Sequence, residues 1–162
     1  MQADIRDITG KDVTRSVEVI RESFSTVAEE LGLNQSDCPT HPSFITAERL
    51  EELRARGLRF LGLFLDGHQI GFVAVERADG GRYYIEKLAV IPQHRHQGLG
   101  RCLLEFAIDT IRQMGGRRVS VAIINEHAVL KDWYGRLGFI ETGTRRFEHL
   151  PFTVCYMERS LA

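Results

Sequence analysis

A strand that passes through a glycine turn directly into a long amphipathic helix constrains the fold of this chain more than any other feature. The apolar run from Tyr83 to Ile91 predicts the strand, and after Pro92 the apolar residues take helical spacing. These helical positions are Leu99, Leu103, Leu104, Ala107, Ile108, Ile111 and Met114. Val119 to Ile124 predicts another strand. Since a helix connects them, the Tyr83 and Val119 strands are expected to be parallel neighbours.

The other segments extend this unit into a mixed α/β sheet. Asp66-Gly67 lies between two apolar runs and predicts a hairpin, whereas the proline-containing stretch 33–44 predicts the longest loop. Strands are expected at Ile5 to Ile8, Phe60 to Leu65, Ile70 to Val75, Phe139 to Phe147 and Phe152 to Met157; helices are expected at Val13 to Leu31, Thr46 to Arg56 and Ala128 to Leu137. This order predicts a mostly antiparallel central sheet of about seven strands flanked by about four helices.

Composition limits the classes of function. A chain of 162 residues fits one domain, over residues 1–162, and 21 basic against 22 acidic residues give no positive field for nucleic acid. No apolar run reaches the roughly 18 residues that span a bilayer, so we expect no membrane partner and a cytoplasmic protein. Cys38, Cys102 and Cys155 are widely spaced and are interpreted as reduced, mostly buried thiols.

The glycine turn from Val90 to Arg101 is a candidate anion site. Free backbone amides at a helix N-terminus bind phosphate or pyrophosphate, and glycines let a ligand approach closely. The turn lacks the Gly-Lys-Ser/Thr ending of a P-loop and the third glycine of the dinucleotide fingerprint. A nucleotide-dependent kinase is therefore disfavoured, and a phosphate-bearing cofactor of another kind is indicated.

Two motifs carry a family resemblance. Arg95-x-x-Gly98-x-Gly100 resembles the pyrophosphate signature of the GNAT superfamily of N-acetyltransferases. A second set of residues further along the chain resembles the second cofactor-side motif of that family. These residues are Asn125, Ala128, Tyr134 and Gly138-Phe139. The resemblance covers residues 4–159 and implies acetyl-CoA as cosubstrate, without a metal. It also implies a splayed strand pair at the cofactor site.

The resemblance implies a cofactor role for a continuous stretch of backbone. Leu88, Ala89 and Val90 would pair with the pantetheine arm, and Asn125 would contact it near the thioester. The pyrophosphate would be held by the amides of His96, Gln97, Gly98, Leu99, Gly100 and Arg101. Arg95 and Arg101 would add positive charge. His94 and His96 lack a third neighbour that would make them a metal site.

Acyl transfer to an amine needs a base for the amine and an acid for the departing thiolate. The resemblance implies that Tyr134 is the acid, although it could be a core aromatic residue. Glu86 is the candidate base, because a glutamate in an apolar strand is costly unless it is functional or ion-paired. Strand alternation predicts that Tyr84, Glu86, Leu88 and Val90 share one face. Tyr84, His149 or a chain of water molecules are the alternatives for the base.

The acceptor is expected to be a small-molecule amine, with a protein N-terminus or lysine as the alternative. Its pocket would lie between the first helices and the final hairpin, where Glu29, Glu30, Asp37, His41, Phe44, Phe147 and Phe152 are candidate contacts. A sensor that binds acyl-CoA without turnover is the non-enzymatic alternative. An exposed final strand could pair with a second copy, which would make a homodimer.

Overall fold

The computed structural model describes residues 2–161, which form seven strands and four α-helices. The strands are β1 (Ala3–Asp7), β2 (Arg59–Leu65), β3 (His68–Arg77), β4 (Arg82–Val90), β5 (Arg118–Ile124), β6 (Ile140–Arg146) and β7 (Thr153–Ser160). The α-helices are α1 (Val13–Leu31), α2 (Ala47–Ala55), α3 (Leu99–Gln113) and α4 (Ala128–Arg136). Short 3-10 turns lie at Gly10–Asp12, Pro42–Phe44 and Pro92–His94. Every predicted helix and strand is present, and the long loop contains the second of these turns.

The seven strands form one sheet in the order β1-β2-β3-β4-β5-β7-β6. All neighbouring pairs are antiparallel except β4 and β5, which are parallel with Tyr83 opposite Val119. The predicted fold class and the predicted parallel pair are therefore confirmed. This pair forms because α3 connects the two strands and packs back on the sheet, as a crossover helix does.

Helices cover both faces of the sheet. Buried Ser16 of α1 hydrogen bonds with Gln69 of β3, and Arg56, which follows α2, pairs with Glu76 on the same side. On the other side, a side chain at Gly71 of β3 would lie 3.3 Å from Leu103 of α3. The apolar stripes of α1 and α3 are thus buried against opposite faces, and this burial is the main contribution to stability.

The parallel pair β4 and β5 opens along its length. The ladder between the two strands begins with Arg82 opposite Arg118 and ends with Tyr84 opposite Ser120. Beyond this point β4 continues to Val90 and β5 to Ile124. The facing edges of both strands beyond this point have no ladder partner. An unpaired strand edge can pair with an extended ligand, so this opening is a ready binding site. The splayed pair implied by the resemblance is confirmed.

A bulge in β4 corrects the predicted alternation of its side chains. Ala74 of β3 pairs with Glu86 and Phe72 pairs with Ala89, so Lys87 and Leu88 together oppose a single residue of β3. Lys87 has a left-handed φ of 54°. Because the bulge inserts an extra residue, Glu86 shares a face with Ala89 and not with Val90. The prediction that Glu86, Leu88 and Val90 lie on one face is wrong.

The exposed edge next to the final hairpin is β6, and not the last strand. β7 lies between β5 and β6, whereas every residue of β6 is exposed, with Ile140 73% accessible. The prediction of an exposed final strand is therefore wrong, because the chain turns back after β6 and inserts β7 inside the sheet. Within residues 2–161 no helix combines the length and apolar character needed to cross a bilayer.

Candidate active site

The glycine turn presents a row of free backbone donors at the start of α3. Among residues 2–161 the amides from His96 to Arg101 donate to no protein acceptor, and the first bond of the helix runs from Cys102 N–H to Gly98 O. Left-handed φ values of 62° at His96 and 78° at Gly98 curl the backbone around these amides. Amides grouped in this way at the positive end of a helix dipole form an anion site.

Gly100 leaves room beside this row of amides. A Cβ built there would have Trp133 Cζ2 at 3.7 Å and Val90 Cγ2 at 3.9 Å as its nearest neighbours, which is ordinary van der Waals contact. The protein itself therefore does not require glycine at this position. A close-lying ligand is the remaining physical reason for it.

The side chain of Arg95 points away from the anion site. Its guanidinium donates to Ser23 O, Ser23 Oγ and Thr26 Oγ1 of α1, and burial lowers its pKa. The expectation that its charge supplements the amides is therefore corrected, because these α1 acceptors bind it and anchor the turn to α1. Arg101 is exposed at the start of α3, and its role as a cation for the phosphates stays a prediction.

Tyr134 lies in α4 between two aromatic rings. Its ring packs edge-on against Trp133 at 5.0 Å and Phe139 at 5.3 Å, and the residue is 5% exposed. Burial raises the pKa of its phenol, so the group is protonated at neutral pH. No partner of its hydroxyl is found within residues 2–161, which leaves this proton free for a ligand atom.

Asn125 lies at the end of β5, where the opening from β4 is widest. Its backbone N–H donates to Thr153 O, and its Oδ1 accepts a 2.7 Å hydrogen bond from Lys131 Nζ. Lys131 also lies 3.3 Å from Glu141 Oε2. The amide oxygen is therefore already engaged, whereas no hydrogen bond of the Asn125 NH2 group is found within residues 2–161. The predicted cofactor contact of Asn125 stays a prediction.

Glu86 is held next to a second carboxylate. Burial raises the pKa of its carboxyl, and hydrogen bonding and charge repulsion from Glu76 raise it further, while Lys87 opposes the shift. Lys87 Nζ lies 3.7 Å from Glu86 Oε2. The sequence left open an ion pair or a functional base. The structure contains the ion pair, and the raised pKa is the direction that makes a carboxylate a stronger base.

A pocket of about 300 Å³ lies between α2, the preceding loop and the β4 bulge. His41, Phe44, Arg49 and Lys87 are among its lining residues. His41 is buried, and this burial lowers its pKa to about 4, so its ring is neutral. Its Nδ1 accepts from Ser43 N–H, which assigns the ring proton to Nε2. Of the predicted acceptor contacts, His41 and Phe44 are therefore placed at this pocket.

The other predicted acceptor contacts lie away from this pocket. Glu29 and Glu30 are exposed at the end of α1, and Asp37 bonds with Asn34 in the loop. Phe147 packs on His149 in the β6–β7 connection, where Phe152 is half-buried. Among the described residues no three His, Cys, Asp or Glu side chains come together as a metal site would require.

Sequence reasoning missed Lys87, Arg49 and Lys131. The signal for Lys87 was present, because Glu86-Lys87 places two successive charges in an otherwise apolar strand. Strict alternation would bury one of them, and a bulge avoids this cost. Arg49 and Lys131 carried no such signal, since each occupies an ordinary polar position of a helix.

The opened strand pair, the free amides and the unbonded phenol thus lie in one continuous region that forms the candidate site. Residues 24–139 match the acetyltransferase (GNAT) family, and the chain belongs to that family. The predicted membership is therefore confirmed.

Relatives of known name support this membership. The streptothricin acetyltransferase of Streptomyces lavendulae is 35% identical over 85 residues, which cover 52% of this chain and 45% of that protein. The chain therefore spans less than half the length of that curated relative. The PaiA N-acetyltransferase of Thermoplasma acidophilum, solved with coenzyme A, superposes with a TM-score of 0.82 at 22% identity and 99% coverage of both chains. The structure of the ribosomal-protein-S18-alanine N-acetyltransferase of Escherichia coli superposes with a TM-score of 0.80 at 18% identity. The superposition covers 99% of this chain and 95% of that one.

Proposed function

We propose that this chain transfers an acetyl group from acetyl-CoA to the primary amine of a small molecule, within a complex that holds both substrates. The observation that carries the proposal is the row of free amides from His96 to Arg101 beside the opening between β4 and β5. These amides would hold the pyrophosphate. The unpaired edge from Leu88 to Val90 would hold the pantetheine arm, which leads the thioester towards Asn125 and Tyr134.

Glu86 is proposed to prepare the amine for attack. An alkylamine has a pKa near about 10.4 and is protonated at neutral pH, so its proton must leave before its nitrogen can attack. A carboxylate whose pKa is raised by burial accepts this proton more readily than an ordinary surface carboxylate. The amine nitrogen then bonds to the thioester carbonyl carbon. Tyr84, His149 and a water chain stay as alternative bases.

Tyr134 is proposed to complete the transfer. As the carbon–sulfur bond breaks, the electron pair remains on sulfur, and the phenol proton can pass to this thiolate. The hydroxyl suits this task because it is protonated and has no partner among the described residues. The nitrogen loses its second proton as the amide forms, and this proton restores the phenol directly or through water. Glu86 releases the first proton to solvent, and the acetylated amine and the coenzyme thiol leave.

A small acceptor is preferred because the pocket that Lys87, the neighbour of Glu86, lines is small. About 300 Å³ lies at the lower end of the range for small-molecule sites. The relative from Streptomyces lavendulae is named for streptothricin, a small molecule. A protein N-terminus or lysine is the alternative acceptor, and the fold does not choose between them, since a structure of the same fold is named for a ribosomal protein. A sensor without turnover is the second alternative.

The remaining expectations from the sequence stay proposals. They are a single domain over residues 1–162, a cytoplasmic location, no metal, no nucleic-acid or membrane partner, and a homodimer. The exposed edge of β6 is the strand to which a second copy could add in such a dimer.

Thiol release from acetyl-CoA over a panel of amines and peptides tests the proposal, with Tyr134→Phe compared to wild type. We expect kcat to fall by at least about a hundredfold while acetyl-CoA still binds, because only the phenol proton is lost. Tyr83→Phe is the matched control, since the Tyr83 hydroxyl donates to Met114 O inside the core and should not affect turnover.

Binding of acetyl-CoA without thiol release from any amine or peptide would favour the sensor alternative. If acetyl-CoA does not bind at all, the proposed function is wrong.

A further inference from the structure

The acceptor pocket carries positive charge on one side. Arg49 and Lys87 are its charged lining residues, and no Asp or Glu is found among the described residues that line it. The opposite side is apolar, with Phe44 and Ile45. A pocket built for a polyamine would need acidic side chains in its lining. These cations therefore indicate an acceptor that carries a negative charge as well as its amine.

Lys87 is placed in the pocket by the bulge. Its left-handed φ of 54° is uncommon for a residue with a side chain, and such conformations concentrate at functional sites. Its side chain is only 18% exposed, so its ammonium has given up much of its hydration. The 3.7 Å separation from Glu86 Oε2 is long for a hydrogen bond, and donors of the ammonium remain for a ligand.

Arg49 is able to join Lys87 when a ligand binds. Its side chain is 53% exposed and pairs with Glu52 at 3.2 Å, three residues along α2. Exposed ion pairs of this kind contribute little stability, so the guanidinium can exchange this partner at small cost. Its planar donors match a carboxylate or another planar anion.

We propose that Lys87 and Arg49 bind the carboxylate of the acceptor while Glu86 receives its amine, so that the acceptor is a free amino acid. The pair Glu86 and Lys87 is the electrostatic complement of such a zwitterion, with the ammonium of the ligand at Glu86 and its carboxylate at Lys87. This inference rests on the proposed acetyl transfer and specifies its substrate class. A protein N-terminus is disfavoured, because its amine neighbours a peptide carbonyl and not a carboxylate.

Matched substrates test this inference directly. Each proteinogenic amino acid is compared with its carboxamide, which keeps the amine and side chain but loses the negative charge. In the wild-type protein we expect kcat/KM for acetyl transfer to be at least about tenfold higher for the acid, through a lower KM.

Variants of Lys87 and Arg49 test whether these two side chains cause the preference for the acid. Lys87→Met and Arg49→Met should each lower the ratio of kcat/KM for the acid to kcat/KM for the amide by about tenfold, while Lys87→Arg restores part of this ratio. Arg54→Met is the control, since Arg54 lies on the same helix and pairs with Glu51 outside the pocket. If Lys87→Met does not fold, Lys87→Gly takes its place, because glycine adopts a left-handed φ easily.

Calorimetric binding of acid and amide in the presence of coenzyme A separates this inference from the proposed function. Tighter binding of the acid, lost in Lys87→Met, without turnover of any amine would support the inference and overturn the acetyl transfer. Turnover with equal or better use of the amide, or an equal loss for both substrates in Lys87→Met, would overturn the inference alone. Neither selective binding nor turnover would overturn both.

Discussion

At the scale of single residues, the proposed site depends on two neighbouring groups, Glu86 and Lys87, whose burial disfavours their charged forms. Burial raises the pKa of Glu86 and lowers that of its neighbour Lys87. A carboxylate whose pKa is raised binds a proton more readily than an ordinary surface carboxylate does, which favours its use as a general base. The 3.7 Å contact between the two side chains keeps both charges in place.

Glu86→Gln is expected to lower kcat by about a hundredfold, because the amide can no longer accept the proton of the amine. In the wild-type protein, activity should fall as pH drops through the raised pKa of Glu86, since the protonated acid is inactive as a base. Profiles of kcat/KM against pH measure this fall in activity on the acidic side, the acidic limb of the profile.

Glu76→Gln is the matched variant for the same profile. Glu76 raises the pKa of Glu86, so its neutralisation should move the acidic limb to lower pH without removing it. If Glu86→Gln keeps both its rate and its profile, the base is one of the alternatives, Tyr84, His149 or water.

At the scale of elements, the start of α3 is shaped for a ligand more than for its own stability. Gly98 needs a left-handed φ of 78°, which only glycine adopts at no cost, whereas Gly100 has an ordinary helical conformation. A methyl group at Gly100 would meet no protein atom closer than 3.7 Å. The two glycines of the motif thus serve different purposes.

Gly100→Ala should therefore separate stability from cofactor binding. Alanine favours a helix over glycine, so we expect the free energy of unfolding to stay equal or rise by about 0.5–1 kcal/mol. The KM for acetyl-CoA should rise by about tenfold, because the methyl group occupies space next to the phosphates. Denaturant unfolding and steady-state kinetics measure the two quantities.

Two other glycines calibrate this result. Gly135→Ala in α4, where no atom lies within 4 Å of the added Cβ, should gain stability without affecting acetyl-CoA. Gly98→Ala should lower the free energy of unfolding by about 1 kcal/mol, because alanine is strained in the left-handed conformation of this residue. An unchanged KM in Gly100→Ala would show that no ligand approaches this position.

At the scale of the whole molecule, side chains from distant segments hold the site together. Arg95 ties the pyrophosphate turn to α1, and Arg159 of β7 donates to Glu105 of α3 and to Leu137 O after α4. His41 packs edge-on between Phe24 of α1 and Phe44 in the loop before α2. Because these contacts cross between elements, the pocket forms only when the entire sheet and its helices have assembled.

The burial of His41 predicts a pH dependence of global stability. Its pKa is lowered from 6.5 to about 4, so folding keeps the ring neutral while the unfolded chain binds a proton. The contribution is complete above pH 6.5 and is lost as pH falls towards 4; the difference between the two pKa values corresponds to at most about 3 kcal/mol. Denaturant unfolding at a series of pH values measures this slope.

His41→Gln should flatten the slope in this pH range even if it lowers stability overall, because the titrating group is gone. His149→Gln removes an exposed histidine and should leave the slope as in wild type. An identical slope in His41→Gln and wild type would contradict the assignment to His41.

The sequence by itself determined the elements and the anion site. The helical spacing around Leu103 and the Asp66-Gly67 turn are local signals, so each helix and strand was predicted close to its observed position. The effect of the glycines is also local. The amides at Gly98 and Gly100 are free because they lie at the start of a helix, which depends on neighbouring residues and not on distant ones. For this reason the free amides of the turn could be predicted from the order of residues alone, whereas their binding of phosphate stays a proposal.

Only the tertiary structure decided where the side chains of β4 and its flanking turn point. The bulge at Lys87 depends on the register with β3, the guanidinium of Arg95 depends on the docking of α1, and β7 is internal because β5 pairs with it. Each of these is a contact between residues far apart in the chain, whose energy exceeds the weak local preference for alternation or exposure. The positively charged lining of the pocket before α2 arises in the same way, because Lys87 and Arg49 come from two segments that meet only in the folded protein.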